Sequence, residues 1–410
     1  MHSKVPVQPK DINAYRNIVG NEAVDELLEL GRQLKGARVL HLNSTAFGGG
    51  VAELLYSMVP LMNSVGLETD WKVIEGDPDF FTITKLFHNA LQGMELPWTA
   101  EMRKKYLEIN VANAHQVDGL YDFVFVHDPQ PAALIASLNG QKRGKWIWRC
   151  HIDTTMANPE PWDFLLPYIN EYDGAIFTKD DYIKTPLRVP KVVFIPPSID
   201  PLSPKNTIPE RKQRHFIVES FNVDPRRPII LQVSRFDPWK DPLGVVDSYR
   251  IVKKFFPDAQ LVFLASMASD DPEGWHYYEK LSDYANGDPD IHLLSNVQGV
   301  GSLEVSAFQA ACSLVVQKSL REGFGLTVTE ALWKGKPVVA GRTGGITLQI
   351  EDGVSGFLVD SIEECAQHIR CIFSNPAMAR RMGEAGREHV RKNFLCTRQL
   401  ADHLRLMLSL

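Results

Sequence analysis

The chain has 410 residues, 44% of them apolar and 23% charged, with a formal net charge of −6. This is the balance of a globular protein with a large core, and its length fits two domains at about 100–200 residues each. The negative charge argues against nucleic-acid binding driven by phosphate neutralisation, and no apolar run approaches the roughly 20 residues of a membrane span. The five cysteines are odd in number, widely spaced and free of any C-x-x-C pair. That argues for a reducing compartment and against structural zinc. Residues Met1 to Lys10 hold no apolar stretch of the kind a secretory signal needs, so a cytoplasmic protein is expected.

In chain order, strands are expected at Arg38–Asn43, Asp70–Ile74, Asp122–His127, Lys145–Cys150, Gly174–Thr178 and Val192–Ile195. A second set is expected at Pro228–Ser234, Gln260–Ala265, Ile291–Leu294, Ser313–Gln317, Pro337–Ala340 and Gly356–Val359. Helical patterns such as Val51–Val65, Asp241–Phe255 and Ser361–Ser374 separate most of them, which implies parallel sheets covered on both faces. Between the sets runs Pro196–Pro209, with five prolines in fourteen residues, which neither a helix nor a central strand tolerates. The expectation is an α/β protein of two doubly wound, Rossmann-like domains facing across a cleft. Residues 1–205 form the first domain, 206–392 the second, and 393–410 a closing segment. Ligands of such sheets bind beyond the carboxyl ends of the strands.

Most of the candidate motifs fall at those ends. Asn43 leads through Phe47-Gly48-Gly49-Gly50 into a helix, and glycines there let the backbone approach a phosphate or sugar; a simple strand–helix turn fits equally well. His127-Asp128-Pro129-Gln130-Pro131 and Cys150-His151-Ile152-Asp153 place polar pairs at two neighbouring strand ends, with no metal-ligand spacing. Arg235 and Lys240 put two cations on one loop, suited to a diphosphate leaving group but also to a solvated surface. Arg321-Glu322-Gly323-Phe324-Gly325-Leu326 then leads into a helix that carries Glu330. This sets one carboxylate at a helix N-terminus, whose first N–H groups lack helical partners, and another about two turns along. Finally, Gly344-Gly345 and Asp352-Gly353-Val354-Ser355-Gly356 read as structural support.

Arg235 with Lys240, Glu322-x7-Glu330, Gly344-Gly345 and Asp352-Gly353-x-x-Gly356 together resemble the retaining glycosyltransferases of the two-Rossmann (GT-B) architecture, a pattern shared by glycogen and sucrose synthases. The first-domain stretches Phe47–Gly50 and Phe125–Pro131 look like those of trehalose glycosyltransferring synthases, which join glucose from a nucleoside-diphosphate glucose (ADP, UDP or GDP) to free glucose; trehalose phosphorylases are similar there. The resemblance implies catalytic roles for Arg235, Lys240 and Glu322, the two cations on the donor diphosphate and Glu322 on the donor glucose. It implies donor contacts from Gly49, Gly50, His151, Asn296, Val297, Gly323, Phe324, Gly325 and Leu326, with Glu330 on the ribose. Acceptor contacts would come from Asn43, Gly48, Asp128, His151 and Asp153. It implies no tightly bound cofactor and no metal held by the protein, and it leaves room for Mg2+ on the diphosphate. Partners are the small-molecule substrates, with no nucleic acid and no membrane, and a homodimer is compatible with it. A last helix near Thr397–Leu408 would return to the first domain.

Overall fold

A computed structural model describes residues 3–47, 49–115, 117, 120–138, 142–183, 186–267 and 272–410. Two compact units result, one of Met1–Ser198 with Cys396–Leu410 and one of Ile199–Leu395. The first boundary therefore falls after Ser198 rather than after 205, so the proline-rich stretch from Ile199 onward belongs to the second unit. The closing segment begins at Cys396 rather than 393 and groups with the first.

All twelve expected strands are present, with ends shifted by a residue or two at most places. The first unit holds β1 (Ser3–Lys4), β2 (Arg38–Asn43), β3 (Glu68–Val73), β4 (Phe123–His127), β5 (Lys145–Arg149), β6 (Gly174–Phe177) and β7 (Lys191–Phe194). They form one sheet in the order β1-β3-β2-β4-β5-β6-β7. β1 pairs antiparallel with β3, Ser3 opposite Val73, and the other neighbours are parallel. β1 was not expected, because two residues are too few to display an alternation.

The inner strands β2, β4, β5 and β6 are buried on both faces. Leu40, Leu42, Val124, Val126, Trp146 and Trp148 point into one core. Val39, Phe125 and Ile147 point into the other, where Leu400 and Leu404 of the Cys396–Leu408 helix pack with Val24 and Leu27 of the Asn21–Gln33 helix. That alternation makes the strands read as near-continuous apolar runs, as expected of parallel sheets covered on both sides.

The second unit holds β8 (Ile229–Val233), β9 (Gln260–Ala265), β10 (Ile291–Ser295), β11 (Leu314–Gln317), β12 (Val338–Gly341) and β13 (Gly356–Val359). The sheet is parallel throughout, in the order β10-β9-β8-β11-β12-β13. Here the chain winds outward from β8 and then returns to place β11 on its other side. β8 and β11 flank the topological switch point, where ligands of doubly wound sheets bind. In the first unit the corresponding switch lies between β2 and β4. Among the described residues no helix is long and apolar enough to cross a membrane.

Candidate active site

The switch point of the second unit explains why two distant stretches meet. β8 and β11 are paired neighbours, so the loops after them rise side by side. The loop after β8 carries Lys240 and the loop after β11 carries Glu322, and their side chains form an ion pair at 2.5 Å, both mostly buried. Ser319 Oγ donates to the same Glu322 oxygen at 3.3 Å. The Lys240 backbone is held twice: its N–H donates to Asp237 Oδ1 at 3.2 Å and its carbonyl accepts from Gln232 Nε2 at 2.9 Å. Asp237 is itself buried, and burial pushes its carboxyl above the usual carboxylate range. Asp241 takes a left-handed conformation, φ 45°, and caps the Pro242–Lys253 helix through Gly244 N–H while Lys318 pairs with its other oxygen. Arg235 does not join this pair. Its side chain is largely exposed and lies 3.5 Å from Asp237.

The Gly323-Phe324-Gly325 turn is fixed by close packing. Gly325 has φ 84°, open to glycine at no steric cost, and precedes the Leu326–Trp333 helix without any side-chain cap. Gly345 lies beneath it: a Cβ there would sit 2.7 Å from the Gly323 carbonyl oxygen and 2.7 Å from Phe324 Cα. The Phe324 ring is buried against Phe394, 5.5 Å between centroids, and its carbonyl accepts from Gln349 Nε2. The Gly344-Gly345 turn thus supports the segment that carries Glu322. The result is a helix N-terminus without a side-chain cap next to a lysine–glutamate pair, a setting whose positive dipole end favours an anion.

Glu330 is fully buried, not the exposed helical glutamate that its position alone allows. Lys205, from the proline-rich stretch, pairs with one oxygen at 2.7 Å, and Gln309 Nε2 donates to the other at 3.3 Å. Lys334 Nζ in turn donates to Gln309 Oε1 at 2.9 Å. Lys205 is a partner that the sequence concealed, because it lies 125 residues from Glu330 in a stretch that reads as linker. Asn296 is bound in a different way: its amide bridges the Met267 N–H and carbonyl at 2.6 and 2.9 Å. Val297 beside it is exposed on a turn closed by the Ser295–Gln298 capping box.

In the first unit, the switch point between β2 and β4 brings together side chains of a different kind. His41 on β2, His127 at the end of β4 and His151 after β5 form a continuous row. His41 Nδ1 lies 3.0 Å from His127 Nε2, and His127 Nδ1 lies 3.0 Å from His151 Nε2. Asp128 adopts φ 63° and accepts the His151 N–H at 2.8 Å. Burial raises the Asp128 carboxyl to about 7. Arg149 is buried as well, and its guanidinium donates to the Phe177 carbonyl at 3.3 Å. Burial lowers the pKa of every imidazole in this row, and the charge of Arg149 adds to the effect at His127 and His151.

The remaining expected contacts in this unit are engaged locally. Asn43 accepts from Trp71 Nε1 at 2.7 Å and donates to the Thr45 carbonyl at 2.6 Å. Asp153 accepts from both the N–H and the hydroxyl of Thr155, at 3.0 and 2.6 Å. Gly49, with φ 109°, precedes the Gly50–Ser64 helix, and Phe47 before it is exposed. Gly48 lies outside the described residues. The sequence reading missed His41 and Arg149. The available signal was their strand parity, since each falls on the same sheet face as Phe125 and Ile147 and would be buried there. Among the described residues no group of three or more His, Cys, Asp or Glu side chains is placed to hold a metal ion.

Two doubly wound units, one with an anion-ready helix N-terminus beside a lysine–glutamate pair, define a glycosyltransferase of the GT-B fold. The E. coli protein described as trehalose-6-phosphate bound with UDP-2-fluoro glucose shares that fold, with a TM-score of 0.74 at 13% identity over 91% of this chain and 99% of its own. The family model for the N-terminal domain of trehalose synthase matches residues 41–184, and that for glycosyl transferases group 1 matches residues 213–389. Trehalose synthase of Rubrobacter xylanophilus is 52% identical over 98% of this chain and 97% of its own length. Trehalose phosphorylase of Pleurotus pulmonarius is 28% identical over 93% of this chain and 58% of its own. The chain belongs to the trehalose synthase family of glycosyltransferases.

Proposed function

We propose that this protein transfers glucose from a nucleoside-diphosphate glucose to free glucose, reversibly and with retention of configuration, to form trehalose. The observation that carries this reading is the Lys240–Glu322 pair at the mouth of the Leu326–Trp333 helix. A diphosphate needs cations and open N–H groups where charge develops as the bond to the sugar breaks, and a sugar needs a carboxylate to accept its hydroxyls. In this reading Lys240 and Arg235 bind the diphosphate, Glu322 binds glucose hydroxyls with support from the amides of Gly323 to Leu326, and Glu330 binds the ribose with Lys205 ceding one carboxylate oxygen. Asn296 and Val297 border the nucleobase. Asp128, His151, Asp153 and the loop from Asn43 to Gly50 serve the sugars.

The donor and the product are both α-linked, so the stereochemistry is retained. A double displacement would require a carboxylate within reach of the anomeric carbon. The transfer instead follows a front-face route. The bond from the anomeric carbon to the phosphate oxygen breaks, the acceptor oxygen bonds to the same face, and its proton passes to the leaving phosphate. The protein orients the reactants and stabilises the charge.

A panel of ADP-, UDP- and GDP-glucose against several sugar acceptors, with products resolved by NMR, tests this. Trehalose from at least one donor and glucose supports it, and an inverted or non-trehalose linkage overturns it. The match to a trehalose phosphorylase favours a second reading, in which phosphate takes the glucosyl group from trehalose. Glucose 1-phosphate formed from trehalose and inorganic phosphate, without a nucleotide, would establish that alternative.

A further inference from the structure

The histidine row of the first unit has a direction, and its far end sets it. His41 Nε2 lies 3.4 Å from the Met62 sulfur, inside the core. A thioether is a weak hydrogen-bond acceptor and has nothing to donate, so this contact favours a proton on His41 Nε2. A neutral imidazole carries one N–H, which leaves His41 Nδ1 as an acceptor. His127 must then donate from Nε2 to His41, which makes His127 Nδ1 the acceptor. His151 must donate from Nε2 to His127, and its own Nδ1 is left with a lone pair. The opposite polarity would end in two facing lone pairs, His41 Nε2 against the Met62 sulfur.

All three rings are held neutral. Burial drives His41 to about 3, and it drives His127 and His151 well below the usual range, with the Arg149 guanidinium close enough to add to the effect on both. The rings are also fixed in place. His41 stacks on Phe125 at 4.9 Å, and the hydrogen-bonded His127 and His151 rings lie nearly parallel, 19° between planes. Only His151 is partly exposed, and among the described residues no protein group takes its Nδ1.

We propose that Met62, His41 and His127 are positioning residues that hold His151 in its Nε2–H form, so that Nδ1 is presented as an acceptor for a hydroxyl of the transferred glucose. The tautomer part stands on the geometry of the row and the burial that keeps its rings neutral, and the sugar part rests on the function proposed above. A ring with an N–H at that position would meet the hydroxyl as a donor and reverse the hydrogen-bond polarity of the sugar it selects.

Nitrogen-15 NMR of histidine-labelled full-length protein reads the tautomers, with His151→Gln used to assign the resonance. The wild type should show His151 neutral and protonated at Nε2; protonation at Nδ1, or an imidazolium at neutral pH, overturns the relay. Met62→Leu keeps core volume and removes only the sulfur acceptor, so the fold should survive. His151 should then become a mixture of tautomers, and kcat/KM for glucosyl transfer should drop in proportion to the Nε2–H fraction lost, about twofold for an even mixture. Affinity for the nucleoside diphosphate without its sugar should not change. His127→Asn, which can still accept from His151 Nε2, should retain more activity than His127→Leu, whereas a packing role would not favour the polar residue. An unchanged His151 spectrum in both Met62→Leu and His127→Leu would sink the relay. Altered tautomers with undiminished glucosyl transfer would overturn the sugar contact while leaving the relay standing.

Discussion

Both units gather polar side chains at the switch point of a doubly wound sheet, yet they manage charge in opposite ways. In the second unit the side chains are charged and paired: Lys240 with Glu322, Lys205 with Glu330 and Lys318 with Asp241. In the first unit the histidines are neutral, and the cation beside them, the buried Arg149 guanidinium, has no carboxylate ion pair of this kind among the described residues. Three imidazoles form a row beneath the strand ends, beside a carboxyl whose burial holds it near neutral pH. The strand plan is nearly the same, so the difference comes from the residues grafted onto it. Paired charges suit a site that must receive an anionic group. A neutral row suits one that must present fixed donors and acceptors to hydroxyls, which carry no charge.

Removing a charged partner should break the comparison most severely on the second unit. In the proposed site Lys240→Ala takes a cation from the diphosphate, and it removes the ammonium that pairs with Glu322. Turnover should fall about 100- to 1,000-fold, as when a donor to developing negative charge is lost. Steady-state kinetics with a thermal melt checks this, and near wild-type turnover in a folded protein would exclude the role. Glu322→Ala should leave nucleotide affinity largely intact while glucosyl transfer collapses, a split that titration with free nucleoside diphosphate and the transfer assay resolve together.

The next effect is on stability. Glu330 is wholly buried and Lys205 is its ion-pair partner at 2.7 Å. Lys205→Ala removes one partner of a buried pair and should destabilise by up to about 3 kcal/mol. Gln309 still donates to the other oxygen, which limits the loss. Chemical denaturation measures it, and Lys205→Met, which keeps the aliphatic stem, should be no better than alanine if charge rather than packing is the cause.

Acid should separate the two units. His41 and His403 sit at about 3 in the fold, and His127 and His151 are also pushed down, against an ordinary value of 6.5. A depressed histidine contributes stability that is present above 6.5 and is lost as pH falls toward its folded value. Asp128 works the other way: raised to about 7, it contributes below its ordinary 3.8 and loses that contribution as pH rises through 7. Four depressed imidazoles outweigh one raised carboxyl, so the first unit should weaken on acidification. In the second unit His292 is the described histidine with a resolved downward shift, and it is only partly buried. Amide-exchange protection followed from about pH 7 to pH 5 should therefore fall more in β2, β4 and β5 than in β8 and β11. Equal losses in both sheets would contradict the assignment of buried neutral rings.

Much of this was legible before the fold was known, for reasons that differ by residue. The central strands announce themselves because strands buried on both faces are mostly apolar, whereas β3, β7 and β10 are only partly buried. Lys240 and Glu322 stand out because each follows such a strand and adjoins a glycine or proline turn. That they touch is a property of strand order, which placed β11 beside β8. Lys205 was hidden because its partner is 125 residues away and its surroundings read as linker. The direction of the histidine row was hidden more deeply, since it depends on a methionine in a helix whose sequence reads only as apolar. The Asn43, Asp153 and Asn296 amides and carboxylate were legible as polar groups at strand ends, but Trp71 and Met267 reach them through the neighbouring strands β3 and β9, and only Thr155 follows from the local turn.

The smallest effect is expected where charges are paired but exposed. Arg342 reaches Asp352 at 2.9 Å and Asp360 at 3.1 Å, and its side chain is 45% exposed. Water screens such pairs, and ordering the long side chain offsets part of the attraction, so Arg342→Ala should cost no more than about 1 kcal/mol. Its third bond, to the Leu358 carbonyl at 3.1 Å, ties the strand end to the Asp352 turn and accounts for part of that cost. Denaturation in low and high salt separates the two. If the loss shrinks with salt, the carboxylates supply it; if it persists, the carbonyl bond does. A loss as large as that of Lys205→Ala would mean that exposure does not divide the charge pairs of this unit, and that the burial of Glu330 is not what makes its partner matter.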